Sequence, residues 1–126
     1  MKFIMQEQGF STETEFGSLQ ISGNEKFGFR PYQLLVSSIA VCSGGVLRKV
    51  LEKKRIEVRD ITVDAAVTRN NEGAQEIQKV HLHFVINAPN ANNEQIKKSL
   101  EVTRKNCSMV QSVQESIHIT ESFELV

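Results

Sequence analysis

The sequence has no surplus of charge of either sign: fifteen Lys and Arg balance fifteen Asp and Glu, for a formal net charge of zero. Binding to nucleic acid or to an anionic membrane relies on an excess of basic residues on one face, so neither is expected as the main partner. Cysteine is scarce, at two residues. Two thiols without a secretory signal do not read as a disulfide framework, and any pairing between them is expected to be transient and chemical rather than structural. A long hydrophobic run is missing from the start. In MKFIMQEQGFSTETE the apolar patch gives way at Gln6 and Glu7, too short for a signal-peptide core or a membrane span, and the expected location is the cytoplasm. There is no Gly-x-Ser-x-Gly elbow, no phosphate-binding glycine loop and no zinc motif, which leaves the commonest hydrolase, nucleotide and zinc chemistries without a carrier. Internal repeats and linkers are absent too.

What remains is ordinary globular material. The chain has 126 residues, 40% of them apolar and 24% charged, enough for one hydrophobic core in a single domain spanning 1–126. Between residues 1 and 29 the glycines at 9, 17, 23 and 28 separate short apolar pieces, a pattern of short strands and turns. From Pro31 to about Lys54 the period becomes helical, with Leu35, Ile39, Cys42, Val46 and Val50 on one stripe, Pro31 at the first turn, and Lys53, Lys54 and Arg55 at the negative end. Ile61, Val63, Ala65 and Val67 then alternate, as do Val80, Leu82, Phe84 and Ile86 across the polar turn NNEGAQ, which predicts a β-hairpin. Helical spacing returns over Glu94 to Cys107, with Ile96, Leu100, Thr103 and Cys107 on one stripe. The closing segment SIHITESFELV alternates through Ile117, Ile119, Phe123 and Leu125, with Glu121 interrupting the apolar side. The expectation is an α+β fold, a mainly antiparallel sheet with a long central helix and a second helix.

That central helix carries apolar residues on more than one side, more than one small domain can cover. Gly44 and Gly45 in its interior cost about 1 kcal/mol each against alanine and offer close approach to another backbone. A homodimer is therefore expected, with the partner packed at the glycines.

The cysteines are the leading chemical candidates. Each is readable as a small buried hydrophobe. Each also lies on the apolar stripe of one of the two substantial helices, so packing those stripes together could unite a reactive thiol with a second one that resolves its sulfenic acid. His81 and His83 share the polar face of a strand and lack a third metal ligand, so a solvent-facing or interface pair is the simpler reading. His118 lies on the polar face of the last strand and is assigned nothing. Glu121, on an apolar face, must be paired or lie near an edge.

Over residues 30 to 67, RPYQLLVSSIAVCSGGVLRKVLEKKRIEVRDITVDAAV, the sequence resembles the OsmC/Ohr family. Pro31, Leu34, Leu35, Cys42 and LEKKRI, from Leu51 to Ile56, match the family pattern, in which the last piece usually reads LEKKGI, and Cys107 in TRKNCSMV matches its second cysteine. The resemblance implies an intertwined homodimer with two active sites near the subunit interface. It implies Cys42 as the peroxidatic and Cys107 as the resolving residue in the reduction of organic or hydrogen peroxide, with an external thiol, often a dihydrolipoyl protein, as reductant and no metal or organic cofactor. Three features depart from the pattern. Residues 1 to 29 contain no Arg, Tyr32 and Gln33 follow Pro31 where the family has an activating Glu, and Ser108 follows Cys107 where it has proline. Arg30 is either an electrostatic substitute or a surface residue. The alternative implied by these departures is a family member that binds a small apolar molecule or senses redox state without efficient turnover.

Overall fold

The computed structural model describes residues 1–126, and the chain divides into two compact units, Met1–Ser37 and Ser38–Val126. In the first, strands β1 (Ile4–Gln6), β2 (Gly9–Glu13) and β3 (Ser18–Ile21) form an antiparallel meander in which Phe10 lies between Met5 and Ile21. The glycine punctuation accounts for it. The turn after β2 closes with reciprocal backbone bonds between Thr14 and Gly17 at 2.9 and 3.1 Å. Gly28 is where the chain passes back over β3: a Cβ there would lie 2.7 Å from the Gln20 carbonyl oxygen, and the Phe29 N–H donates to that same oxygen at 2.9 Å. This sheet buries Thr12 and Ser22 and leaves Phe10, Phe16, Phe27 and Phe29 exposed.

Helix α1 (Pro31–Lys53) matches the sequence expectation at both ends. It closes in a Schellman motif: the Ile56 N–H bonds the Leu51 carbonyl at 3.0 Å, the Arg55 N–H bonds that of Glu52 at 2.9 Å, and Arg55 adopts the left-handed region at φ 59°. A side chain there costs about 1–2 kcal/mol that glycine does not, partly offset by the larger entropy glycine loses on folding. Arg55→Gly is therefore expected to stabilise the protein by about 0.5–1 kcal/mol, read as a higher urea midpoint at unchanged slope.

The second unit holds a sheet in the order β4-β5-β6: β4 (Asp60–Arg69), β5 (Ile77–Asn87) and β6 (His118–Leu125). The hairpin β4/β5 is as predicted, with Gly73 at φ 62° in its turn. Strand β6 runs parallel to β5, because α2 (Asn93–Asn106) carries the chain back along the sheet before β6 begins. With β1/β2, β2/β3 and β4/β5 antiparallel, the fold stays mainly antiparallel. A short helix that the sequence pattern did not reveal, α3 (Ser108–Val113), follows α2 directly.

The core forms where β5 presents Val80, Leu82, Phe84 and Ile86, all fully buried, together with Ile96 and Leu100 of α2 and Ile39, Leu47 and Leu51 of α1. The buried row of α1 is thus Ile39, Ser43, Leu47 and Leu51. The stripe expected from spacing holds only at Ile39. Beyond it the helix turns the next row inward, leaving Cys42, Val46 and Val50 half-buried on its flank and Leu35 exposed. By length and composition α1 is apolar enough to cross a membrane, yet only 33% of that stretch is buried within the chain.

Candidate active site

Cys42 and Cys107 reach one another from different elements. Cys42 lies midway along α1, half-buried, while Cys107 is fully buried at the junction where α2 ends and α3 begins. The junction is built locally. A capping box starts α2, with the Gln95 N–H donating to Asn92 Oδ1 at 2.9 Å and the Asn92 N–H to Gln95 Oε1 at 3.0 Å. Ile96, Leu100 and Thr103 fix the buried face of α2, and Cys107 is held at its end by an N–H bond to the Thr103 carbonyl at 2.8 Å. Cys107 then leaves the helix in an extended conformation, φ −79° and ψ 106°, so that α3 starts afresh with first N–H groups that have no acceptor within the helix.

Those groups meet Cys42. The Met109 backbone N–H lowers the pKa of the Cys42 thiol most, opposed by partial burial and aided by the Cys107 thiol and by the hydroxyl and N–H of Ser108, for a net downward shift. The Ser108 Oγ lies 3.8 Å from Cys42 Sγ. Cys107 shifts the other way: burial pushes it up, and the neighbouring Cys42 adds to the rise by hydrogen bonding and by its charge. Both thiols are free. Of the two, Cys42 is the one that ionises more readily, and Cys107 keeps its proton longer and offers it to Cys42. None of the groups lowering Cys42 is a cation. Arg30 instead stacks its guanidinium over the Tyr32 ring, 4.8 Å from the centroid.

The remaining sequence candidates have structural partners. Pairing of His81 with Thr120 and His83 with Ser122 across β5/β6 lines up a polar ladder. His81 Nδ1 lies 2.6 Å from Thr120 Oγ1, its Nε2 lies 2.8 Å from Ser122 Oγ, and His83 Nδ1 lies 2.7 Å from the same hydroxyl. His118 is exposed. Glu121 is paired, its Oε1 accepting from Arg104 Nη1 at 3.1 Å, while the same nitrogen donates to the Ile119 carbonyl at 3.0 Å.

A groove of about 530 Å³ runs between α1 and β4, with Val41, Gly44, Gly45, Arg48, Ile61 and Val63 in its walls. Cys42 is not among its lining residues. At its floor a Cβ on Gly44 would stand 3.2 Å from Val63 Cγ2, so this glycine admits β4 of the same chain, whereas Gly45 faces open space.

The family model for OsmC-like proteins matches residues 22–122, across both units and both cysteines. This chain belongs to the OsmC-like family. It is 23% identical over 97 residues to Protein YhfA of Escherichia coli strain K12, covering 76% of this chain and 72% of that one. The OsmC-like protein of Mycoplasma pneumoniae has the same fold at a TM-score of 0.87 and 19% identity, over 99% of this chain and 94% of that one. The organic hydroperoxide resistance protein OsmC of Legionella pneumophila follows at 0.75 and 16%, over 98% and 97%. In this OsmC-like chain the thiol pair was legible from the family pattern, while spacing alone did not bring the two together. The donors around Cys42 were not: Met109 acts through its backbone, which leaves no trace in side-chain pattern, and Ser108 stood out only as a departure from proline.

Proposed function

We propose that this protein is a cysteine-based peroxidase that reduces organic hydroperoxides, with Cys42 attacking and Cys107 resolving. The reading is carried by one observation: two free thiols from separate elements, close enough that each shifts the other's pKa, Cys42 lying below and Cys107 above the ordinary thiol value. The Cys42 thiolate attacks the distal peroxide oxygen, an S–O bond forms as the O–O bond breaks, and the alkoxide leaves and takes a proton to become an alcohol. Cys42 is now a neutral sulfenic acid. The part of the upward shift at Cys107 that came from the Cys42 charge disappears, so the second thiol deprotonates more readily once there is something to attack. Its sulfur displaces water from the sulfenic acid, forming a Cys42–Cys107 disulfide that an external dithiol, such as a dihydrolipoyl protein, reduces.

We further propose a cytoplasmic homodimer. It is supported by a helix α1 only one-third buried within the chain, by Val41 at 73% exposure beside the open face of Gly45, and by the exposed phenylalanines of the first sheet. The second reading, a ligand-binding or redox-sensing protein without efficient turnover, draws on the lack of a cation among the groups that lower Cys42. It expects a Cys42 pKa that is unshifted or high, and ligand binding that survives Cys42→Ser. Mass spectrometry after one equivalent of cumene hydroperoxide separates the readings. The peroxidase reading expects a Cys42–Cys107 disulfide in the wild type and a trapped Cys42 sulfenic acid in Cys107→Ser, and it fails if neither product forms.

A further inference from the structure

We propose that Ser108 is a catalytic residue of this site, its hydroxyl and backbone N–H together holding the Cys42 sulfur as the reactive thiolate in place of a cationic side chain. The inference deepens the peroxidase reading and rests on it for its place in turnover. Three observations carry it. First, the Ser108 hydroxyl has Cys42 Sγ, at 3.8 Å, as its hydrogen-bond partner, while its carbonyl is occupied by the Ser112 hydroxyl at 2.7 Å. The residue is anchored through its backbone and its O–H is left to turn. When Cys42 is a thiol, the hydroxyl oxygen accepts from S–H; when Cys42 ionises, the hydroxyl rotates and donates to the sulfur. A donor that reverses in this way favours the anion without moving a heavy atom.

Second, Ser108 is the first residue of α3, where a backbone N–H has no intrahelical acceptor. That orphan donor is among the groups that lower the Cys42 pKa, as is the hydroxyl. Third, the position would accept a residue with neither donor. Proline is favoured at a first helical position, and Cys107 ahead of it is already extended, φ −79° and ψ 106°, outside the helical region that a following proline disfavours. The backbone thus does not require serine, and what serine supplies over proline is a hydroxyl 3.8 Å from the sulfur and a backbone N–H beside it that lowers the same thiol.

The test is a set of three substitutions read by two assays: the pH midpoint of Cys42 alkylation by iodoacetamide, and the second-order rate with cumene hydroperoxide at neutral pH. Ser108→Ala removes the hydroxyl alone. Because the residue is exposed, water replaces part of the lost bond, and the peroxide rate is expected to fall about three- to tenfold, with the alkylation midpoint moving to higher pH. Ser108→Pro removes both donors and is expected to move both readouts further in the same direction. Ser108→Thr keeps both donors and is expected to restore wild-type values. Circular dichroism melts check that all three fold. A Ser108→Ala alkylation midpoint equal to wild type overturns the inference, as does failure of Ser108→Thr to restore it. A shifted midpoint in a protein whose wild type is inert to peroxide upholds the hold of Ser108 on the thiolate and overturns the peroxidase reading instead.

Discussion

Cys42→Ser is expected to reduce peroxide consumption by at least about a thousandfold, because a serine hydroxyl at neutral pH is almost never ionised and is a far poorer nucleophile toward an O–O bond than a thiolate. Its counterpart at the second cysteine behaves differently. Cys107→Ser leaves the first attack in place, so that variant consumes about one equivalent of peroxide per site in a burst and then stalls with Cys42 as sulfenic acid. The pH dependence follows from the sign of the shifts. Cys42 lies below the ordinary thiol value, so its alkylation rate rises with pH and reaches half its plateau at a lower pH than that of an unperturbed thiol. Cys107 is raised by burial and by Cys42, so it does not contribute a second thiolate in that range. Stopped-flow peroxide consumption and alkylation between pH 5 and 9 check both statements. A Cys42→Ser protein that still turns over, or an alkylation midpoint at or above that of a free thiol, would remove Cys42 from the attacking role.

The source of this reactivity explains how much of the site the sequence could disclose. An arginine near a thiol is a residue type at a position, so its absence from residues 1 to 29 is legible in the sequence. A backbone N–H is carried by nearly every residue, and only the break between α2 and α3 at Cys107 turns those of Ser108 and Met109 toward α1. That break has little signature: Cys107 makes no side-chain cap, and SMVQSV is too short to establish a helical period. The fold was read more fully. The hairpin of β4 and β5, the span of α1 and the buried stripe of α2 all follow from periodicity, because each is set by one face meeting the core. The stripe of α1 was misplaced by about one row, since apolar side chains occur all around that helix and periodicity cannot choose among them. Only packing in this chain selects Ile39, Ser43, Leu47 and Leu51. The parallel β5/β6 pair was implicit in the order of strand, helix and strand, as a single crossover helix brings the chain back to the end of the sheet where it started.

The core that holds the two thiols together should be most sensitive at Phe84. It is fully buried at the centre of β5, with Val63 opposite it on β4 and Phe123 opposite it on β6, so its ring lies where both neighbouring strands and the helical layer converge. Phe84→Ala removes the largest fully buried side chain and leaves a space that the rigid ladder on both sides cannot close. The expected loss is about 3–5 kcal/mol, against a total of about 5–15 kcal/mol for a typical domain, so the variant is expected to be partly unfolded at 37 °C. The consequence reaches the site. Cys107 has no exposed surface in the native chain, and its alkylation in native buffer requires opening. Urea unfolding followed by circular dichroism, with Cys107 labelling measured in parallel, should show the midpoint falling and Cys107 labelling rising in step, while Cys42, already half-buried rather than enclosed, changes far less. A loss below about 1 kcal/mol, less than the least expected of an emptied aromatic site, would mean that the inner face of β5 is not the core that joins α2 to α1, and the contact between the two sulfurs would then need another support.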